Sequence, residues 1–350
     1  GSGRGRGRSM SGEAPLTYGD AGVSLEAADE VVRRISAAVR STHTKDVLGG
    51  LGGFSGVYTP SAGDPAIAAG CDGVGTKILL GAAAGRLHGL GIDLVAMSVN
   101  DVITTGARPA FFLDVITCGR IQPDRIAELV EGIAAGCRDA GCALLGGETA
   151  EHPDMMEPDE FDMAGFAVAV GERRDLIGGA RARAGDAVIG LASSGPHSNG
   201  FSLVRRLLER AGVSLDDIPS ELGGASVADA LLEPTRIYAG AVRLLTATLD
   251  VRAMAHITGG GIAGNLGRPL PAGLGAEIDL SSWERPAVFT WLASLGVDED
   301  EMRRVFNLGL GYAVVVAAES TELALQTLEQ AGERAWVAGR LVEGDGVILR

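Results

Sequence analysis

Cysteine is scarce in this sequence. Four stand in 350 residues, at positions 71, 118, 137 and 142, and no two form a CxxC pair. That excludes a disulfide framework and a zinc ribbon, and it fits a reducing compartment. Cations are also short: Lys and Arg total 30 against 45 Asp and Glu, a formal net charge of −15. A surface built to hold DNA, RNA or an anionic membrane needs the opposite balance. No apolar run approaches the ~18 residues of a membrane span. The N-terminus is polar and has no apolar signal-peptide core, so a cytoplasmic protein is expected. Aromatic residues are only 4%. Neither HExxH nor GxSxG occurs, so nothing supports zinc catalysis or a hydrolase elbow.

What is present is apolar residue and glycine. A hydrophobic fraction of 46% is ample for a core. At ~100–200 residues per domain, the length suits two domains. Glycine numbers 53, about twice the ~7% norm, without a three-residue period. It clusters at 49–56, 70–75, 145–147, 259–264 and 307–311. Such clusters make tight turns or let backbone approach a ligand, often a phosphate. Residues 1–15 read as a disordered tail, 16–172 as an N-terminal domain and 173–350 as a C-terminal one. The expected helices include 25–41, 91–105, one opened by Pro123, 201–210 and 321–332. The expected strands include 111–116, 161–172 and 186–194; 66–80 reads as a strand, a Gly-rich loop and a helix start, and 142–149 as a strand running into a loop. The mixture is α+β, with Gly-rich loops entering several helices.

Four acids sit in apolar settings. Asp72 opens DGVGTK after a strand, Asp101 lies in SVNDVI, Asp114 lies within FFLDVI, and Glu148 follows LLGG. A buried acid is costly unless paired or metal-bound. A local hydrogen bond or cap explains any one of them. Four together, beside Gly loops and Lys77, point to a Mg²⁺–phosphate site, because Mg²⁺ bridges carboxylates to nucleotide phosphates. Gly70-x4-Gly75-Thr76-Lys77 has P-loop spacing, but Thr and Lys are in swapped order, so it is not one. A structural turn is the alternative there. Gly259-x-Gly261-x-x-Gly264 matches a dinucleotide fingerprint, but Pro269 and Pro271 leave its helix too short for the crossover. SSGPHSNGFS (193–202) and AHITGGG (255–261) are two strand-end loops, each with a His. They suit an anion and a pair of proton-transfer groups, or two structural histidines that brace their loops.

Taken in order, GDAGV (19–23), GLGGFSG (50–56), CDGVGTK (71–77), GIDLVAMSVND (91–101), FFLD (111–114), GGETAE (146–151), SSGPHSNGFSLVR (193–205), PTRIY (234–238), HITGGG (256–261) and FNLGLG (306–311) resemble the phosphoribosylformylglycinamidine cyclo-ligase family. The resemblance covers about 16–345. The chain departs from the family pattern at Val115, Arg120, His152, Asp154 and Tyr312. Thiamine-monophosphate kinase, selenophosphate synthetase and a carbamoyl-dehydration factor share the ATP motifs, as would a non-catalytic nucleotide-binding regulator. No Cys precedes Cys71, which speaks against selenophosphate synthetase.

The resemblance implies an N-terminal mixed sheet that pairs with its mate into a homodimer barrel, and a C-terminal α/β sandwich-like domain. It implies an ATP-dependent closure of formylglycinamidine ribonucleotide to aminoimidazole ribonucleotide. Asp72, Asp101 and Glu148 would hold Mg²⁺, with Asp114 nearby. Gly52, Gly53, Gly73, Gly75, Thr76, Lys77, Asn100, Gly147 and Thr149 would complete the ATP site. Lys77 would contact phosphate, and His197 and His256 would move protons. Ser194, Gly195, Ser198, Asn199, Thr258, Gly259, Gly260 and Gly261 would hold the ribose 5′-phosphate. The two His loops would face one cleft, with the GGETAE carboxylate across it.

Overall fold

A computed structural model describes residues 15–21, 25–48, 53–60 and 64–350. Its first half runs α1 (Leu25–Arg40), β1 (Val47–Leu48), β2 (Gly56–Tyr58), β3 (Pro65–Gly73), α2 (Lys77–Ala83), α3 (His88–Val102), β4 (Arg108–Cys118), α4 (Pro123–Ala140), β5 (Ala143–Glu151) and β6 (Phe161–Glu172). The second half starts with β7 (Ala187–Ala192), α5 (Phe201–Ala211), α6 (Val227–Leu232), α7 (Ala239–Thr248), β8 (Val251–His256) and α8 (Gly261–Leu266). It ends with β9 (Leu274–Ile278), α9 (Ala287–Ser294), α10 (Glu299–Val305), β10 (Leu310–Val316), α11 (Thr321–Gln330), β11 (Ala335–Glu343) and β12 (Val347–Leu349).

Each half builds a mixed six-stranded sheet. The first has the order β1-β2-β3-β6-β4-β5 and the second β12-β9-β11-β7-β10-β8. All described neighbours are antiparallel except β4 with β5 and β12 with β9. The alternation in β6 shows why a strand forms: Phe161, Met163, Ala167 and Ala169 are buried, while Phe166 and Val170 stay exposed. α4 starts on Pro123 and stops at Gly141, whose φ of 71° is left-handed.

Helices α3 and α4 cover one face of the first sheet. They cross closely: a Cβ on Gly132 would stand 1.9 Å from the His88 carbonyl oxygen. Behind them lies a core that crosses between the halves, with Leu94, Val99 and Phe112 in one cluster with Ile189, Tyr238, Met254 and Tyr312. The sheet's other face is left open by the described chain, with Phe166 41% and Val170 40% exposed. Among the described residues no helix is long and apolar enough to cross a membrane.

Register sets the chemistry of the covered face. Asp72 pairs with Gly165, Gly165 with Asp114, and Asp114 with Gly147, a single row across four strands. Directly paired residues share a face. Asp72 and Asp114 therefore both point toward α3.

Candidate active site

α3 delivers three polar side chains to the boundary between the halves. Asp93 is fully buried and takes both Lys77 Nζ (2.9 Å to Oδ1, 2.8 Å to Oδ2) and Thr235, through its N–H at 2.7 Å and its hydroxyl at 2.6 Å. Lys77 Nζ also donates to the Glu233 carbonyl at 2.9 Å. One turn-pair further on, Asn100 Nδ2 donates to the Arg236 carbonyl at 2.8 Å, and Asn100 Oδ1 accepts from Tyr238 N–H at 3.0 Å. Lys77 and Asn100 were expected against ATP. Lys77 instead spends its ammonium donors on a buried clamp, and Asn100 spends its amide on the 234–238 segment.

Asp101 lies at the clamp's edge, its side chain 21% exposed, with Oδ1 2.8 Å from His256 Nδ1. A carboxylate accepts, so Nδ1–H donates. Asp72 is close enough to feel both groups. Burial first, and then the Asp101 charge, push its carboxyl up to about 6, against partial relief from the Gly73 N–H and from His256. Asp114, at 6% exposure, is also raised by burial.

The two histidines, expected as proton-transfer groups, lie beneath the loops. Both rings have no exposed surface. Ser194 N–H donates to His197 Nε2 at 3.3 Å, so that ring carries its proton on Nδ1. Burial, helped by His256, Lys77 and Arg236, holds His197 well below its ordinary range, and it is neutral at pH 7. The rings stand 6.5 Å apart beside Tyr238 and Tyr312, a closed aromatic layer beneath the loops. Tyr312, one of the departures, fills that layer, its hydroxyl 3.8 Å from Met254 Sδ.

Above this layer the loops meet. Gly259 N–H donates to Asn199 Oδ1 at 3.0 Å, which joins 195–200 to 256–261. Asn265 braces the second loop through the carbonyls of Thr258, Gly259 and Gly261. Asn307 braces the first through Gly195. Ser194 Oγ donates to the Pro234 carbonyl, and Ser198 Oγ lies 3.2 Å from Thr235 Oγ1. Thr76 Oγ1 lies 3.0 Å from Ser202 Oγ, so the DGVGTK loop, with Gly73 and left-handed Gly75, borders the same cleft. Gly260 and Gly261 are left-handed too; a Cβ on Gly261 would collide with the Arg303 carbonyl oxygen. α8 spans only six residues, so its start is no anion site comparable with that of the eleven-residue α5.

Not every expected residue joins this cluster. Glu148 pairs with Val115 on the open face of the sheet, away from Asp72 and Asp101, and is exposed. Gly147 abuts Asp114, and Thr149 pairs with Ile116 on the covered side. Among the described residues no three His, Cys, Asp or Glu converge as a metal site. Gly52 falls outside the described residues. Gly53 lies in a cavity of 690 Å³ with Ser55, Thr104, Thr105 and Met254, where Arg268 reaches the Gly53 carbonyl and stacks over Phe54. Asp93, Thr235, Asn265 and Asn307 are the polar residues that motif reading did not single out. Asp93 carried a signal, an acid amid apolar residues on the same helix as Asp101.

Comparison with known proteins adds to this geometry. The AIR synthase related protein N-terminal domain matches residues 52–171, and the AIR synthase related protein C-terminal domain matches 183–350. The phosphoribosylformylglycinamidine cyclo-ligase of Synechococcus sp. (strain RCC307) is 52% identical over 338 residues, 95% of this chain and 98% of that protein. The chain belongs to the phosphoribosylformylglycinamidine cyclo-ligase family. A second cyclo-ligase, from Sorangium cellulosum (strain So ce56), is 51% identical over 333 residues, 93% of this chain and 95% of that one. The cyclo-ligase fold extends further in solved structures. Thiamine-monophosphate kinase from Stenotrophomonas maltophilia K279a has a TM-score of 0.62 at 20% identity, covering 91% of this chain and 95% of that one. AaThiL complexed with AMPPCP and TMP has a TM-score of 0.65 at 17% identity, covering 93% and 95%. At those identities the likeness is one of fold.

Proposed function

We infer that this chain is a cytoplasmic enzyme that closes the ring of 5-aminoimidazole ribonucleotide. It consumes ATP and formylglycinamidine ribonucleotide and releases ADP and phosphate. The observation that carries the reading is the Asp72–Asp101–His256 cluster at the loop cleft, in a chain more than half identical to two cyclo-ligases.

The formamide oxygen of the substrate is a poor leaving group. Transfer of the γ-phosphoryl group to it gives an iminophosphate. The amidine nitrogen then attacks the formyl carbon, the C–N bond forms, and phosphate departs with the oxygen. The protein's share is position and charge. Ser198, Asn199, Thr258 and Gly259 offer hydrogen-bond groups at the cleft, and the first turn of α5 offers unpaired N–H groups for the substrate's phosphate. The Gly53 cavity has the size for a nucleotide.

The donor set suits a divalent cation. Two carboxylates that repel each other in a desolvated corner are relieved by a cation between them, and Mg²⁺ is held by one or two carboxylates plus phosphates. Asp72 and Asp101 would hold it, and it would neutralise phosphoryl charge. His256, with no surface of its own, acts through Asp101 as a positioning residue, and His197 holds the 194–197 turn.

The open sheet face supports a homodimer. Phe166, Val170 and Tyr58 are exposed apolar residues that a second copy would cover, and a two-fold pair of such sheets would close a barrel. The test of function is turnover. ADP should appear when formylglycinamidine ribonucleotide is supplied, and not with thiamine phosphate. ADP release on thiamine phosphate, or on neither, would overturn the reading.

A further inference from the structure

The end of α4 places two cysteines together. Gly141 N–H donates to Arg138 O at 3.1 Å, and Cys142 N–H donates to Cys137 O at 3.0 Å. With Gly141 left-handed, this is a Schellman turn, which brings the side chain after the glycine onto the one a turn before it. That contact is ordinarily hydrophobic; here both partners are thiols. Cys137 is 2% exposed in the core, and Cys142 packs against that core while half-buried at the surface. Cys71 lies exposed on another strand, and Cys118 is buried at the end of β4.

We propose that Cys137 and Cys142 form a redox-responsive dithiol that closes to an intramolecular disulfide when hydrogen peroxide is present. Exposure assigns their roles: Cys142 reaches the surface and Cys137 does not, so the accessible sulfur is the nucleophile, and the hydrogen bond between the two thiols, which lowers Cys142 and raises Cys137, acts in the same sense. Cys142 thiolate attacks one peroxide oxygen, the O–O bond breaks, and a sulfenic acid and water result. Cys137 sulfur attacks the Cys142 sulfur, the S–O bond breaks, and a second water leaves. Two thiols are oxidised and one peroxide is reduced to two waters. A cellular thiol reverses the step. The bond would tie the last turn of α4 to the entry of β5.

Full-length protein treated with hydrogen peroxide, unfolded and alkylated should show two reactive thiols in place of four. A single cross-linked peptide should carry Cys137 and Cys142, and dithiothreitol should restore all four thiols. Cys142→Ser should lose the cross-link, and the wild-type peptide map decides even if that variant folds poorly. Four unchanged thiols, Cys142 trapped as sulfinic acid without a cross-link, or a bond to Cys71 would each overturn the proposal.

Discussion

Asp72 and His197 show how single side chains set the site's pH behaviour. Asp72 has an ordinary value of 3.8, raised to about 6 in the folded chain. Between those values the folded state binds more protons than the unfolded one. Stability therefore falls as pH climbs through that window. Asp72→Asn should melt higher than wild type at pH 8, and the two should converge below about pH 4. Its turnover should be lost at every pH. His197 has the opposite sign. It stays neutral where the unfolded ring takes a proton, so stability is lost as pH falls through the ordinary histidine range. His256 has one job if it acts through Asp101: a donor at the Nδ1 position. Asn presents a donor there and Gln presents one at Nε2. Kinetics should show kcat kept within about tenfold in His256→Asn, and cut ~10²-fold or more in His256→Gln and His256→Ala. Equal losses in all three would refute the positioning role.

Among elements, α3 and its loop partners are the clamp. Lys77→Met would leave Asp93 charged, buried and without its cation, at a cost of about 3–5 kcal/mol. Denaturant titration should show that loss, with ATP affinity of the folded fraction little changed. A lysine that touched phosphate would give the reverse. Much of this layer was legible in the sequence. Pro123 and Gly141 mark both ends of α4, and the alternation of 161–172 marks β6. The helices α6, α9 and α10 and the strand β9 were not read: three are short, although Ser226 with Asp229 and Asp298 cap the starts of α6 and α10, and α9 is apolar almost all round. The misplacement of Glu148 has one cause. Between Phe112 and Leu113 the pairing of β4 skips Leu145, a bulge of one residue in β5. A one-residue shift moves every later side chain to the other face. Without it Glu148 would pair with Ile116 and face α3. Nothing in LLGGET announces that slip. The burial of both histidines was equally hidden, since it depends on Tyr238 and Tyr312 arriving from elements far apart in the chain.

Across the whole molecule, the open sheet face is the feature most exposed to test. Light scattering should give twice the chain mass of 35.8 kDa at micromolar concentration. Phe166→Asp, a charge placed amid that apolar face, should shift the population toward the single chain. A wild-type protein already at the single mass would rule out the homodimer. The two halves themselves were readable as successive sheets separated by a charged, Gly-rich stretch. That they share a core was not, because residues such as Tyr238 and Met254 serve a cluster with Val99 and Phe112 only after the chain has folded back.

Asp93, Asn100 and Asp101 occupy one helix at fixed offsets, and this limits which lesions the gene can tolerate. Seven residues bring an α-helix round by almost two whole turns, so Asp93 and Asn100 point the same way. Each anchors a different end of the 233–238 segment, while Asp101 reaches His256. Side-chain replacement can remove one of these links at a time. Inserting or deleting one codon between 93 and 100 would rotate everything beyond it by about 100°. Asn100 and Asp101 would leave their partners together, and Asp93 alone would still hold Thr235. Length variation should therefore gather in the loops around 150–160 and 212–226, and be absent from the six residues that separate the two anchors.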